Sequence, residues 1–108
     1  MPQRIAVLGS TGSIGSQTLD IVSRYPDEFS VEILTAGNNI DLLTRQARQF
    51  QPDIVVIENR GHFPQLKDNL RDTHIKVYAG AQAIEQVIAS STADVVVAAI
   101  VGYSGLRP

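Results

Sequence analysis

Two rhythms of apolar residues alternate along the chain. The first is the unbroken run. Ile5-Ala6-Val7-Leu8 ends at Gly9, and Val31 to Ala36 is interrupted only by Glu32 and Thr35. Asp53-Ile54-Val55-Val56-Ile57 is a third run, and Ile75 to Ala79 a shorter fourth. The longest, Asp94 to Val101, again ends at a glycine, Gly102. Runs rich in Val and Ile without polar alternation belong to strands buried on both faces, as parallel strands covered by helices are. The second rhythm is helical. Ile14, Thr18, Ile21, Val22 and Tyr25 make one stripe, which Pro26 stops because it lacks an N–H and disfavours helix in the residue before it. Ile40, Leu43, Ala47 and Phe50 make a second, closed by Pro52. Phe63, Leu66 and Leu70 make a third, with Pro64 acceptable in its first turn. Ile84, Val87 and Ile88 make a fourth, just after Gly80.

The order β-α-β-α-β-α-β-α-β predicts the α/β class: a Rossmann-like, doubly wound parallel sheet in three α/β/α layers, joined by right-handed crossovers. The end of the fifth strand reaches a ligand at the first strand only if the two are neighbours. The expected strand order is therefore 4-3-2-1-5, with the weak fourth strand at an edge. After the fifth strand the sequence reads Gly102-Tyr103-Ser104-Gly105-Leu106-Arg107-Pro108. A doubly wound sheet continues there with a helix, so we expect the front part of a larger protein, truncated after the fifth strand. A complete five-stranded domain is the alternative.

Between the first strand and the first helix lies Gly9-Ser10-Thr11-Gly12-Ser13-Ile14-Gly15. This G-x-x-G-x-x-G turn is a variant of the dinucleotide-binding fingerprint. Gly9 lets the chain turn sharply, because glycine accepts positive φ. Gly12 lets a pyrophosphate approach the backbone, and Gly15 lets the helix pack close to the strand. The helix N-terminus offers free N–H groups to the phosphates. Ser10, Thr11 and Ser13 add hydroxyl donors. A glycine turn serving only tight packing is the plain alternative. The lack of any Gly-Lys pair argues against an ATPase-type phosphate loop.

The end of the second strand bears on the choice of cofactor. NAD-specific domains usually place a carboxylate there on the ribose hydroxyls. Here Thr35-Ala36-Gly37-Asn38-Asn39 carries none. A carboxylate would repel a 2′-phosphate, whereas Asn38, Asn39 and backbone N–H groups can donate to it, which favours NADP. Asn39 also suits the N-cap of the second helix. Arg60 is a candidate charge partner or a solvated loop residue. Ala99, Ile100, Val101 and Gly102 should reach the carboxyl edge, where small apolar residues can wall a nicotinamide ring.

Composition narrows the remaining classes. The 108 residues are 44% hydrophobic and 19% charged, a globular balance. Nine Lys and Arg, none adjacent, against eleven Asp and Glu give a net charge of -2. That argues against nucleic-acid binding or a polybasic membrane anchor. There is no cysteine, which excludes disulfides, thiolate metal sites and cysteine nucleophiles. His62 and His74 are too few for a histidine metal cluster. The apolar run after the N-terminus is too short for a signal-peptide core or a membrane span, so a cytosolic or organellar protein is expected. The one adjacent carboxylate pair, Asp27-Glu28, sits beside Pro26 and reads as a solvated loop. No catalytic centre emerges from these residues.

GSTGSIGSQTLDIV, TAGNNIDLL and VVVAAIVGYSGL, in order and across essentially the whole chain, resemble the N-terminal NADPH-binding domain of the 1-deoxy-D-xylulose 5-phosphate reductoisomerase family. The resemblance implies that Thr11, Gly12, Ser13 and Ile14 form the pyrophosphate loop. It implies an adenosine-ribose and 2′-phosphate segment at Gly37, Asn38 and Asn39, where some members carry Lys, Arg or Ser in place of Asn38. Ala99, Ile100, Val101 and Gly102 match the nicotinamide-side strand end. Enzymes of the family rearrange 1-deoxy-D-xylulose 5-phosphate and reduce the resulting aldehyde with NADPH to 2-C-methyl-D-erythritol 4-phosphate. This is an early step of non-mevalonate isoprenoid biosynthesis in bacteria and plastids. The resemblance further implies a homodimeric protein, cytoplasmic in bacteria, and a divalent metal, Mg²⁺ or Mn²⁺. The metal carboxylates, the Asn-Lys-Glu-Ser segment and the active-site flap would lie beyond residue 108. Residues 1–108 would then be a partial NADP-binding domain, inactive alone. Another NADP-dependent reductase, such as a semialdehyde dehydrogenase, and a non-catalytic nucleotide sensor are the competing readings. An Asn-Lys-Glu motif further along would favour the reductoisomerase, a catalytic cysteine the dehydrogenase, and a complete 108-residue protein the sensor.

Overall fold

A computed structural model describes residues 2–98 of the chain. Five strands and four helices alternate: β1 (Gln3–Leu8), α1 (Ser13–Arg24), β2 (Phe29–Ala36), α2 (Ile40–Phe50), β3 (Ile54–Ile57), α3 (Phe63–Asn69), β4 (Lys76–Ala79), α4 (Ala81–Ala89) and β5 (Val95–Ala98). All four strand pairings are parallel, and the order is β4-β3-β2-β1-β5, as the pattern predicts. A 3-10 turn at Arg60–His62, not signalled by periodicity, leads into α3.

Helices cover both faces. Under α1, α2 and α3, the inward residues Val7, Leu34 and Val55 pack with Leu19, Val22, Leu43, Ala47, Leu66 and Leu70. On the opposite face, Ala6, Leu8, Ile33 and Val56 pack under Ile84 and Val87 of α4. This is the three-layer α/β/α arrangement. It explains the unbroken apolar runs of β1, β2 and β3, whereas the edge strands β4 and β5 differ from the expectation of burial on both faces, being largely exposed among the described residues.

One helix face differs from the sequence expectation. The predicted α1 stripe places Ile14, Ile21 and Tyr25 in the core, yet they are 56%, 53% and 50% exposed. The buried residues are Gly15, Leu19 and Val22. Two stripes share Val22, and both have helical spacing. Gly15 decides between them, because a residue without a side chain lets the helix lie directly on the strand end.

At the amino end of the sheet, Glu32 is a buried carboxylate. The register of β2 against β1 shifts there, Ile5 pairing with Val31 and Ala6 with Ile33, so Glu32 is the extra residue of a bulge. Its oxygens lie 3.1 Å from the Arg4 guanidinium and accept from Ser91 Oγ at 3.2 Å and Thr92 Oγ1 at 3.1 Å. The Arg4 N–H donates to Asp94 Oδ2 at 2.9 Å. Together these bonds tie the approach to β5 onto the centre of the sheet. Among the described residues no helix is long and apolar enough to cross a membrane.

Candidate functional site: the glycine turn at the carboxyl edge

β1 ends at Leu8, and the chain turns at Gly9 with φ 77°, a conformation that glycine tolerates best. Thr35, buried at the end of β2, holds this turn. Its carbonyl accepts from Gly9 N–H at 3.0 Å and Ser10 N–H at 2.8 Å, and its Oγ1 accepts from Gly9 N–H at 3.1 Å. Hydrophobic periodicity alone does not reveal this role of Thr35. Its signal was a polar residue inside an apolar strand run.

The three glycines serve different ends. A Cβ on Gly15 would lie 2.3 Å from Gly9 O and 2.7 Å from Ser10 Cα, so glycine is required there for close helix packing. Gly12 differs. Its φ is -78° and a Cβ there would meet only Gly9 O, at 3.5 Å, an ordinary contact. Nothing within the described chain demands glycine at position 12, which leaves space in front of the turn for a ligand.

Gly12 is also the N-cap of α1, and no side chain caps the helix. Gly12 N–H bonds to Gly9 O and Ser16 N–H to Gly12 O, but the N–H groups of Ser13, Ile14 and Gly15 have no acceptor among the described residues. The first turn of α1 carries no acidic residue. Three unsatisfied donors and the positive end of the helix dipole make a site for an anion. At α2 the corresponding need is met internally, since Asn39 Oδ1 accepts from Leu42 N–H at 3.1 Å.

The hydroxyls of the turn are not equivalent. Ser13 is exposed and Thr11 half-buried, but Ser10 is fully buried. Ser10 Oγ donates to Gln46 Oε1 at 2.8 Å, and Gln46 Nε2 donates to Ser10 O at 2.9 Å. The expectation that Ser10 offers a hydroxyl to a ligand is therefore corrected, because that hydroxyl anchors the turn to α2. Gln46 was not singled out from sequence, being one polar residue beside Ala47 in an apolar stripe.

A groove of about 180 Å³ runs from this turn to the ends of the neighbouring strands. Gly9, Gly12, Thr35, Ala36, Gly37 and Glu58 line it, with Ile84 of α4. Glu58, just after β3, brings a carboxylate that the sequence reading did not assign. Asn38 is exposed, and its Oδ1 accepts from Asn59 Nδ2 at 2.8 Å. Asn39 is committed through Oδ1 to its helix cap. Arg60 lies against Gly80, where an added Cβ would fall 2.6 Å from Arg60 Nε. Ala99, Ile100, Val101 and Gly102 lie outside the described residues. The strand leading to them runs beside β1, with Ala98 opposite Leu8. No three His, Asp or Glu side chains gather into a metal site among the described residues.

A parallel sheet in this order, with a glycine turn opening an uncapped helix at its carboxyl edge, defines a Rossmann-like domain of the dinucleotide-binding class. The model of the family described as 1-deoxy-D-xylulose 5-phosphate reductoisomerase matches residues 5–108, so the chain belongs to that family. It is 52% identical over 108 residues to the 1-deoxy-D-xylulose 5-phosphate reductoisomerase of Phocaeicola vulgatus, covering 100% of this chain and 28% of the relative. Among solved structures, the Zymomonas mobilis reductoisomerase in complex with NADPH is similar with a TM-score of 0.84 and 34% identity, over 89% of this chain and 25% of that one. A reductoisomerase in complex with magnesium is similar with a TM-score of 0.89 and 31% identity, over 99% of this chain and 27% of that one. The chain thus spans little more than a quarter of the length of the relatives it matches.

Proposed function

We propose that this chain is the N-terminal NADPH-binding part of a 1-deoxy-D-xylulose 5-phosphate reductoisomerase. The full-length protein would rearrange its sugar phosphate and reduce the product to 2-C-methyl-D-erythritol 4-phosphate, in the non-mevalonate route to isoprenoids. The observation that carries this reading is the set of unsatisfied N–H groups at Ser13, Ile14 and Gly15, behind a Gly12 whose missing side chain serves no internal contact. That cradle fits a pyrophosphate. In this reading Thr11, Gly12, Ser13 and Ile14 hold the pyrophosphate, with Gly9 shaping the turn. Gly37, Asn38 and Asn39 face the adenosine ribose and its 2′-phosphate. Ala99, Ile100, Val101 and Gly102 line the nicotinamide side.

Bound NADPH would supply the hydride for the reduction. The chain's own contribution is positioning. The α1 terminus neutralises the diphosphate, and the β1 and β5 ends set how deep the dinucleotide sits. In this reading the Mg²⁺ or Mn²⁺ of the reaction and the substrate are held by residues beyond position 108. The reading extends to a cytoplasmic homodimer that binds neither nucleic acid nor membrane, in keeping with the net charge of -2 and the bacterial relative.

The test is turnover by the full-length protein. With 1-deoxy-D-xylulose 5-phosphate, Mg²⁺ and NADPH, the reduced-nicotinamide absorbance should fall and 2-C-methyl-D-erythritol 4-phosphate should accumulate. Absence of both, in a folded protein that is also unable to bind NADPH, would overturn the proposal.

A further inference from the structure

We infer that Asn59, which lies outside the glycine turn and the β2 end, is the positioning residue that makes Asn38 a donor and so directs the site toward the 2′-phosphorylated dinucleotide. The inference rests on the function just proposed and adds to it a determinant of cofactor choice.

The orientation of two amides sets this polarity. Asn59 Oδ1 accepts from the Gly61 N–H at 2.9 Å. A backbone N–H can only donate, so the Asn59 atom facing it must be the oxygen. The Asn59 NH₂ group is thereby turned to its other neighbour, Asn38, and donates to Asn38 Oδ1 at 2.8 Å. Asn38 in turn has its oxygen occupied. What remains is its own NH₂ group, and Asn38 Nδ2 has no partner among the described residues.

The backbone reinforces this arrangement. Asn59 N–H donates to Gly37 O at 3.1 Å, and Glu58 N–H to Ala36 O at 2.8 Å, so the segment after β3 is clipped to the segment that carries Asn38. Asn38 O accepts from Ile40 N–H at 2.9 Å, which holds that backbone to the start of α2. An amide locked as a donor suits phosphate oxygens. An acceptor at the same place suits the two ribose hydroxyls of the unphosphorylated dinucleotide. Asn59 thus sets the polarity of the site without touching the cofactor.

The experiment uses the full-length protein and titrates NADPH and NADH separately. Asn59→Asp keeps an oxygen for Gly61 N–H but presents an acceptor to Asn38, whose amide should turn over. NADPH affinity should drop at least about fivefold, the size of one ordinary hydrogen bond, with NADH affinity unchanged or higher. Asn59→Ala, which carries no new charge, should give a smaller loss in the same direction. Both changes are then repeated in an Asn38→Ala background, where neither should alter the NADPH-to-NADH ratio further. A loss that persists there would mean that Asn59 acts by charge or by folding and not through Asn38. An unchanged ratio in both single variants, with wild-type NADPH binding intact, would overturn this inference alone. Failure of the wild type to bind either dinucleotide would overturn it together with the proposed function.

Discussion

Ser10 and Gln46 grip each other through two hydrogen bonds, the Ser10 hydroxyl donating to Gln46 Oε1 at 2.8 Å and the Gln46 amide donating to the Ser10 carbonyl at 2.9 Å. Both residues are buried, one in the glycine turn and one in the middle of α2. The pair joins the glycine turn to the middle of α2. Gln46→Ala should leave the buried Ser10 hydroxyl without its acceptor, while Ser16 Oγ still donates to the Ser10 carbonyl at 3.3 Å, so the cost should be about 1–3 kcal/mol for the one buried group left unsatisfied. Urea unfolding should show the loss, and NADPH affinity should fall with it as the turn loosens. A variant as stable as wild type would mean that water or a rearranged turn replaces Gln46.

The glycines separate folding from binding. Gly15→Ala forces a Cβ against the backbone of Gly9 and Ser10 and should destabilise the domain by about 1–3 kcal/mol or more, the usual cost of overpacking. In Gly12→Val the Cβ makes only an ordinary contact with Gly9 O, at an acceptable φ and an exposed position, so circular dichroism should show a folded protein. Its branched side chain should nonetheless obstruct the pyrophosphate and weaken NADPH binding by several kcal/mol, on the order of two charge-assisted hydrogen bonds at about 1.5–3 each. Wild-type affinity in a folded Gly12→Val protein would remove the main support for a phosphate cradle.

Glu32 should matter for stability and not for cofactor affinity. Replacing it with Ala removes the acceptor of Ser91 and Thr92 and the partner of the Arg4 guanidinium. Arg4 is partly solvated and is held by Asp53 as well, which reduces the penalty to about 1–3 kcal/mol. Thermal melting measures the loss, and hydrogen exchange should locate it at residues 91–94 and β5. Equal protection there in the variant and wild type would show that the carboxylate does not tie down the β5 approach.

Asp72 gives a pH signature. Its hydrogen bond from Arg48, 2.7 Å at the shorter contact, is the main cause that lowers its pKa below the ordinary 3.8. A depressed carboxyl stabilises the folded state fully above its unfolded pKa and loses that contribution as pH falls through its folded pKa. The contact is exposed, so the effect is small. The melting temperature of Asp72→Asn should sit slightly below that of wild type at neutral pH and converge with it in acid. A gap that widens on acidification would contradict the ion pair.

The sequence made the sheet legible because strands covered on both faces must be apolar throughout, and the G-x-x-G-x-x-G turn marked where the first strand meets a helix. The α1 face was not legible. Ile14, Thr18, Ile21 and Tyr25 form as regular a stripe as Gly15, Leu19 and Val22, and only the tertiary approach of Gly15 to Gly9 selects the second. Ser10 misled for a related reason. A hydroxyl in a phosphate-type turn reads as a donor to the ligand until its partner, 36 residues away, is known. Thr35 and Glu32 did leave a trace, as polar residues in otherwise apolar strands. Glu58 and Asn59 left none, because their place beside Gly37 and Asn38 depends on the pairing of β3 with β2.

The strand order also has a consequence for how the chain is made. β1 to β4 are laid down as successive neighbours, but the pairing of β1 with β5 closes over a separation of 90 residues between Arg4 and Asp94. Until β5 is made, therefore, β1 is an open edge, with Ala6 and Val7 among the most buried residues of the finished fold. Open apolar edges recruit other chains, and long-range parallel pairings form slowly. The strand that leads into the glycine turn is thus the last to be sealed on both sides. Substitutions that weaken β5 should appear first as loss of soluble protein during expression, before any effect on the folded molecule can be measured.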